Sequence, residues 1–184
     1  MRIISGVKKG KKILLPDPKI TRPLRDSVKE NIFNILLHSK DFKFSFQDSV
    51  VIDFFAGSGS FGMECLSRGS KFVSFVESNS STQNTLFRNL DNNFLKENFE
   101  IKKQDFFEID AISFIQNANP DLIFFDPPYK IKGLEKIFMI IDRINIKNTT
   151  IILHIEKTTH IEFKNFEKRL EKKYGISKII FLKN

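Results

Sequence analysis

Two stretches of this chain carry residue types that do chemistry only when held at fixed spacing. The first runs Val50-Val51-Ile52-Asp53-Phe54-Phe55-Ala56-Gly57-Ser58-Gly59-Ser60-Phe61-Gly62, an apolar run holding an acid near its end and then three glycines. It reads as strand, tight turn and helix start. Gly57 can take φ > 0, Gly59 lets backbone approach a ligand closely, and Gly62 lets the helix lie near the strand. Amides at such a helix start face an anionic group. The second stretch is Asp126-Pro127-Pro128-Tyr129, directly after the apolar run Leu122-Ile123-Phe124-Phe125. Consecutive prolines fix the backbone and remove two amide donors, so nearby carbonyls remain as acceptors.

An exocyclic amine on a nucleobase is a poor nucleophile, because its lone pair is conjugated with the ring. Accepting both its N–H bonds, from the Asp126 carboxylate and the Pro127 carbonyl, favours a pyramidal nitrogen whose lone pair can be aimed at an electrophilic methyl. That is positioning and electrostatic work with no covalent enzyme intermediate. Tyr129 would stack on a base taken out of its helix or loop. The bland alternative is a Pro-Pro turn that merely ends a buried strand. Glu77 lies 20 positions after Gly57, the spacing at which an acid reaches a ribose diol. That spacing suits NAD and S-adenosylmethionine alike. Asp53 separates them: beside the loop its carboxylate repels a pyrophosphate but can hold the ammonium of a methionine moiety.

The elements that must position these groups alternate. Apolar strands are expected at 50–54, 72–76, 99–103, 121–125 and 150–155, with helices over 60–68, 80–95, 111–116 and 134–144 between them. Strand–helix alternation predicts an α/β fold with a mostly parallel, Rossmann-like sheet and helices on both faces. Ligands then sit at the carboxyl ends of the strands, where Asp53, Glu77, Asp105 and Asp126 fall. Segments 166–174 and 177–182 flank Gly175 as a C-terminal antiparallel hairpin. Residues 2–15 read as a small β-hairpin with a basic tip, and 27–37 as an amphipathic helix with a capping box of Ser27 and Glu30. His38, His154 and His160 lie in different elements without metal-ligand spacing and are read as structural, as is Cys65.

At 184 residues one domain is expected, a basic extension over 1–40 and a catalytic core over 41–184. A single cysteine excludes an intramolecular disulfide. With no signal-peptide pattern and no long apolar run, a cytoplasmic protein with no membrane partner is expected. The net charge of +8 is unevenly spread. Residues 1–40 hold ten Lys/Arg against three Asp/Glu, residues 41–163 thirteen against seventeen, and residues 164–184 seven against two. Basic ends around an acidic core suit either a solubilising surface or a footprint for a phosphate backbone.

With both stretches in view, the chain resembles the class I S-adenosylmethionine-dependent methyltransferases that act on exocyclic amines. Arg2-Ile3-Ile4-Ser5-Gly6, Gly10-Lys11-Lys12-Ile13, Arg22-Pro23 with Asp26, and Val28-Lys29-Glu30 with Ile32-Phe33-Asn34 are similar to the RsmD family. The similarity continues through Asp53 to Gly59 and on to Arg68. Leu24-Arg25 stands where that family usually has Thr-Thr or Thr-Ser. The resemblance implies S-adenosylmethionine as cofactor and N2 of a guanine in 16S rRNA of the small ribosomal subunit as target. It places the methionine moiety at Asp53 and the loop Ala56, Gly57, Ser58 and Gly59, the ribose at Glu77, and the adenine at Asp105 and Phe106. Asp126, Pro127, Pro128 and Tyr129 would take the guanine. Lys8, Lys9, Lys11, Lys12, Arg22, Arg25 and Lys29 are candidate RNA phosphate contacts, which position a substrate without reading its sequence. No metal is expected, and a monomer is. Two alternatives remain: an adenine-N6 DNA methyltransferase, and a nucleotide-binding protein without methyl transfer.

Overall fold

A computed structural model describes residues 1–18 and 23–184 of the chain. Five strands, β1 (Val50–Phe54), β2 (Phe72–Val76), β3 (Phe99–Lys102), β4 (Leu122–Phe125) and β5 (Thr150–Glu156), pair in parallel. Two more, β6 (Glu167–Tyr174) and β7 (Ser177–Lys183), form an antiparallel hairpin that joins through β7. The sheet order is β3-β2-β1-β4-β5-β7-β6, so the strand order reverses between β1 and β4. Crossovers leave β1 towards one edge and β4 towards the other, opening a crevice at their carboxyl ends.

Alternation along the strands divides the core in two. Val51, Val73, Phe75, Leu122, Phe124 and Ile152 face α1 (Asp26–His38), α2 (Ser60–Ser67) and α3 (Ser80–Asp91). Ile52, Phe54, Ile123, Phe125 and Leu153 face α4 (Ala111–Ala118) and α5 (Leu134–Arg143). Both faces are covered, which is why β1 and β4 are apolar almost throughout. Each fully buried Leu, Ile or Phe side chain here contributes about 1.5–3 kcal/mol of burial.

The N-terminal extension departs from expectation in two ways. Its hairpin is reduced to one bridge, Arg2 with Lys12, closed by Ile3 N–H to the Lys11 carbonyl and Ile13 N–H to that of Met1. The chain between them is shaped by contact with α2 and not by a ladder: Val7 N–H donates to the Ser67 carbonyl at 2.8 Å. A Cβ on Gly6 would stand 1.7 Å from that carbonyl oxygen. The second departure is the capping box, which does not form. Helix α1 begins at Asp26 behind Arg25, with no side-chain cap, and Ser27 lies inside its first turn.

Lys29 gives the larger correction. Its side chain is fully buried, and Nζ donates to the Arg2 carbonyl at 2.9 Å and lies 3.9 Å from the Glu64 carboxylate. Glu64, also buried, accepts from the amides of Ile4 and Ser5 and from Arg68. Lys29 therefore clamps the extension to the core and is withdrawn from any phosphate. Burial lowers its pKa, against the neighbouring Glu64 and Asp26 charges that raise it.

Candidate active site

The turn after β1 is built from backbone geometry. Phe55 takes φ +60°, a left-handed conformation unusual for a bulky residue, with its ring 5.3 Å from that of Phe106. Ala56 N–H then donates to the Val76 carbonyl, tying the turn to β2. Gly57 follows at φ +56°, and its N–H donates to Glu77 Oε2 at 2.9 Å. The second Glu77 oxygen accepts from Asn79 N–H, so the carboxylate is held at the end of β2 beside the loop.

Glycines 59 and 62 are explained by packing. A Cβ on Gly62 would lie 2.4 Å from the Phe75 ring, so α2 does lie close to β2 as the spacing predicts. Gly59 differs from expectation. Its φ is +77° and a Cβ there would meet Leu86 of α3 at 2.4 Å, so close approach to α3 requires this glycine. The anion expected at the start of α2 is Asp53 itself, whose Oδ2 accepts from Gly62 N–H at 3.1 Å. Asp53 is only 1% exposed. Burial pushes its pKa well above the usual carboxylate range, and the Asp126 and Glu77 charges add to this against the Gly62 hydrogen bond. A cation beside this carboxyl would favour its ionised form and lower the pKa again.

Asp53 and Asp126, from neighbouring strands, line one cavity of about 20 Å³ with Ala56, Gly57, Ser58 and the covering residues Pro16, Pro23 and Leu24. Leu24 is buried there, so it closes the loop as an apolar cover. Ahead of Pro16 the chain is latched by α3: Asn89 Nδ2 donates to the carbonyls of Leu14 and Ser58, and Oδ1 accepts from Leu14 N–H. At the end of β3, Asp105 Oδ1 accepts from Phe107 N–H and stays partly exposed. Phe106 is 2% exposed, its ring held among Phe54, Phe55, Phe107 and Phe125. Its ring is thus core and not a stacking surface.

In the Asp-Pro-Pro-Tyr turn, Pro127 is buried, Pro128 exposed and Tyr129 half-buried. The Pro128 carbonyl is taken by Ile131 N–H. Tyr129 stands edge-on to His154, ring centroids 6.1 Å apart. Sequence reasoning set His154 aside as structural, but the structure places it against Asp126. Its Nδ1 lies 2.8 Å from Asp126 Oδ1, and its Nε2 lies 3.0 Å from Ser177 Oγ. The available signal was register: parallel β4 and β5 pair Phe125 with Leu153, so the next residues, Asp126 and His154, stand side by side. Beyond His154 opens a groove of about 690 Å³, walled by Pro23, Arg25, Val28, Tyr174, Gly175 and Ile176.

Of the proposed RNA contacts, Lys9, Lys11, Lys12 and Arg25 are exposed and Lys8 is half-buried. Arg22 lies outside the described residues. Among the described residues no three His, Cys, Asp or Glu side chains gather as a metal site would need, and no helix is long and apolar enough to cross a membrane.

A glycine turn after β1, acids closing the neighbouring strands, and an antiparallel β7 inserted between β5 and β6 define a class I methyltransferase fold. Over residues 1–183 the chain matches the family described as Conserved hypothetical protein 95. It is 32% identical to ribosomal RNA small subunit methyltransferase D of Haemophilus influenzae over 158 residues, 85% of this chain and 78% of that one. Against the Escherichia coli K12 protein of the same description, identity is 30% over 144 residues, 77% and 67% of the two chains. A crystal structure of a Haemophilus influenzae protein described as a methylase superposes with a TM-score of 0.76 at 30% identity, covering 100% and 98%. The chain belongs to the RsmD-type methyltransferase family.

Proposed function

We propose that this protein transfers a methyl group from S-adenosylmethionine to the exocyclic N2 of a guanine in 16S rRNA of the small ribosomal subunit. The observation that carries the reading is the meeting of Asp53 and Asp126 in one cavity between the glycine turn and the Asp-Pro-Pro-Tyr turn. A pyrophosphate there would be repelled by two acids, whereas a cationic ammonium and sulfonium suit them. The cofactor, when bound, supplies an electrophilic methyl on a positively charged sulfur. Asp53 would hold the ammonium, Ala56 to Gly59 the main chain of the methionine moiety, Glu77 the ribose, and Asp105 with the Phe106 backbone the adenine. The cavity holds little more than a water as it stands, so Pro16, Pro23 or Leu24 must shift to admit the methionine end.

Asp126 and the Pro127 carbonyl would accept the amine N–H bonds, and Tyr129 would stack on the guanine. Exposed Lys9, Lys11, Lys12 and Arg25 would contact phosphates, with half-buried Lys8 at their edge. An adenine-N6 DNA methyltransferase would use the same turn, but the similar proteins of Haemophilus influenzae and Escherichia coli are described as ribosomal RNA methyltransferases, which favours the first reading. A nucleotide-binding protein without methyl transfer leaves the Asp53–Asp126 cavity without a purpose.

The test is transfer of labelled methyl to small subunits from cells lacking this gene, with fully modified subunits and duplex DNA alongside. Label recovered as N2-methylguanine in the deficient subunits alone is the expected result. Asp126→Ala should lower the transfer rate by about 10²–10³ while keeping cofactor affinity. Label in DNA as N6-methyladenine would replace the substrate assignment, and no label in any acceptor would remove the reading.

A further inference from the structure

The geometry points to His154 as a positioning residue for Asp126, backed by Ser177. The inference rests on the methyl-transfer reading for its purpose, though not for its structure. An ionised carboxylate only accepts, so the 2.8 Å contact to Asp126 Oδ1 places the imidazole proton on Nδ1. Nε2 of the neutral ring is then an acceptor, and Ser177 Oγ stands 3.0 Å away to donate to it. Ser177 Oγ carries one proton, and the Tyr174 carbonyl, 3.1 Å away across the two-residue turn Gly175-Ile176, is its alternative acceptor when Nε2 does not take that proton. His154 is 3% exposed and Ser177 4%, so water does not compete for these bonds. Three adjacent strands thus supply one chain of contacts: β7 sets Ser177, β5 carries His154, and the turn after β4 carries Asp126.

The consequence falls on the carboxylate. With Oδ1 held by His154, Asp126 cannot rotate, and Oδ2 is the oxygen left for the substrate amine. Its plane is fixed before substrate arrives, which is where positioning gains rate. Asp126 then takes the proton that the nitrogen sheds once the new N–C bond has formed, the methyl–sulfur bonding pair leaving on sulfur. The arrangement resembles the way an acid orients a histidine in hydrolytic triads, with the roles exchanged: here the histidine orients the acid. Among the described residues, the charged and titratable groups around the ring are Asp126 and Tyr129 from the β4 turn, Arg25 and Asp26 from the start of α1 across the groove, and Tyr174 from the hairpin.

Two measurements test it. In the cofactor-free protein, imidazole ¹⁵N spectra should show His154 as the Nδ1–H tautomer, with a slowly exchanging proton that disappears in Asp126→Ala. That result is independent of any enzyme activity. In the methyl-transfer assay, His154→Ala should lower kcat by about 10–100-fold with KM for RNA and cofactor affinity within about twofold. His154→Asn, whose side-chain N–H can stand where Nδ1–H stands, should recover most of kcat; Ser177→Ala should fall between. A His154→Ala variant of wild-type kcat, or an Nε2–H tautomer in the wild-type protein, would overturn the inference and leave the methyl-transfer reading intact. An inactive wild-type protein with the Nδ1–H tautomer present would instead remove that reading and leave the bonds among Asp126, His154 and Ser177 standing.

Discussion

Asp53 carries the most testable electrostatics. Its folded-state pKa is raised by burial, so the cofactor-free fold binds this proton more tightly than the unfolded chain does. That contribution to stability is full below the usual carboxylate range and is lost as pH rises through the raised value. A cationic ammonium beside the carboxylate reverses the cost, because it favours the ionised form. The thermal shift produced by saturating S-adenosylhomocysteine, which keeps the ammonium, should therefore grow as pH rises from the usual carboxylate range towards the raised value. Binding should release a proton, seen as a buffer-dependent heat of binding. Asp53→Asn should remove both effects and weaken binding; a pH-independent shift in the wild-type protein would refute the role. Asp53 and Asp126 were legible because an acid at a strand end beside a glycine turn, or before two prolines, is an unusual local pattern. His154 was not, since its partners lie 28 and 23 positions away and only strand register brings them together.

At the scale of elements, the N-terminal extension is held by polar bonds that its own sequence does not announce. Glu64 receives Ile4, Ser5 and Arg68, and Lys29 fills the space between α1 and α2. Glu64→Ala leaves Lys29 as a buried charge and two amides without an acceptor, and should cost about 3–5 kcal/mol in urea unfolding. Lys29→Met keeps the volume and leaves Glu64 to Arg68, so a loss of less than half that is expected. Equal losses would show that the Lys29 charge, and not its packing, holds the clamp. Strands β1 and β2 and the starts of α2 at Ser60 and α3 at Ser80 fell where expected. Helix α3 ends at Asp91, four residues short of expectation, because Asn92 to Leu95 leave the helix to enter the short turn before β3. A lysine within the α1 stripe reads as basic surface until the carboxylate from α2 is known.

For the whole molecule, the charge segregation becomes geometry. Val7 and Lys8 hydrogen-bond Ser67 at the far end of α2, whereas Gly59 starts that helix at the glycine turn. Eight helical residues separate the basic tip from the site by about 12 Å. An RNA that reaches both would have to run along the extension, so the tip should govern affinity and not the chemical step. Replacing Lys8, Lys9, Lys11 and Lys12 together should flatten the log K against log salt slope by about 0.7–0.9 for each phosphate no longer neutralised, with kcat unchanged. An unchanged slope would assign these lysines to solubility. Composition announced the basic ends but not their distance from Asp126, which depends on how the extension packs on α2.

The central claim is that Asp126 and its neighbours methylate a guanine amine in ribosomal RNA. The most direct measurement is nucleoside mass spectrometry of 16S rRNA from cells lacking this gene, complemented with the wild-type gene or with Asp126→Ala. Loss of one N2-methylguanosine on deletion, restored by the wild-type gene and not by the variant, is the predicted result. An unchanged set of modified nucleosides after deletion, or full restoration by Asp126→Ala, would contradict it.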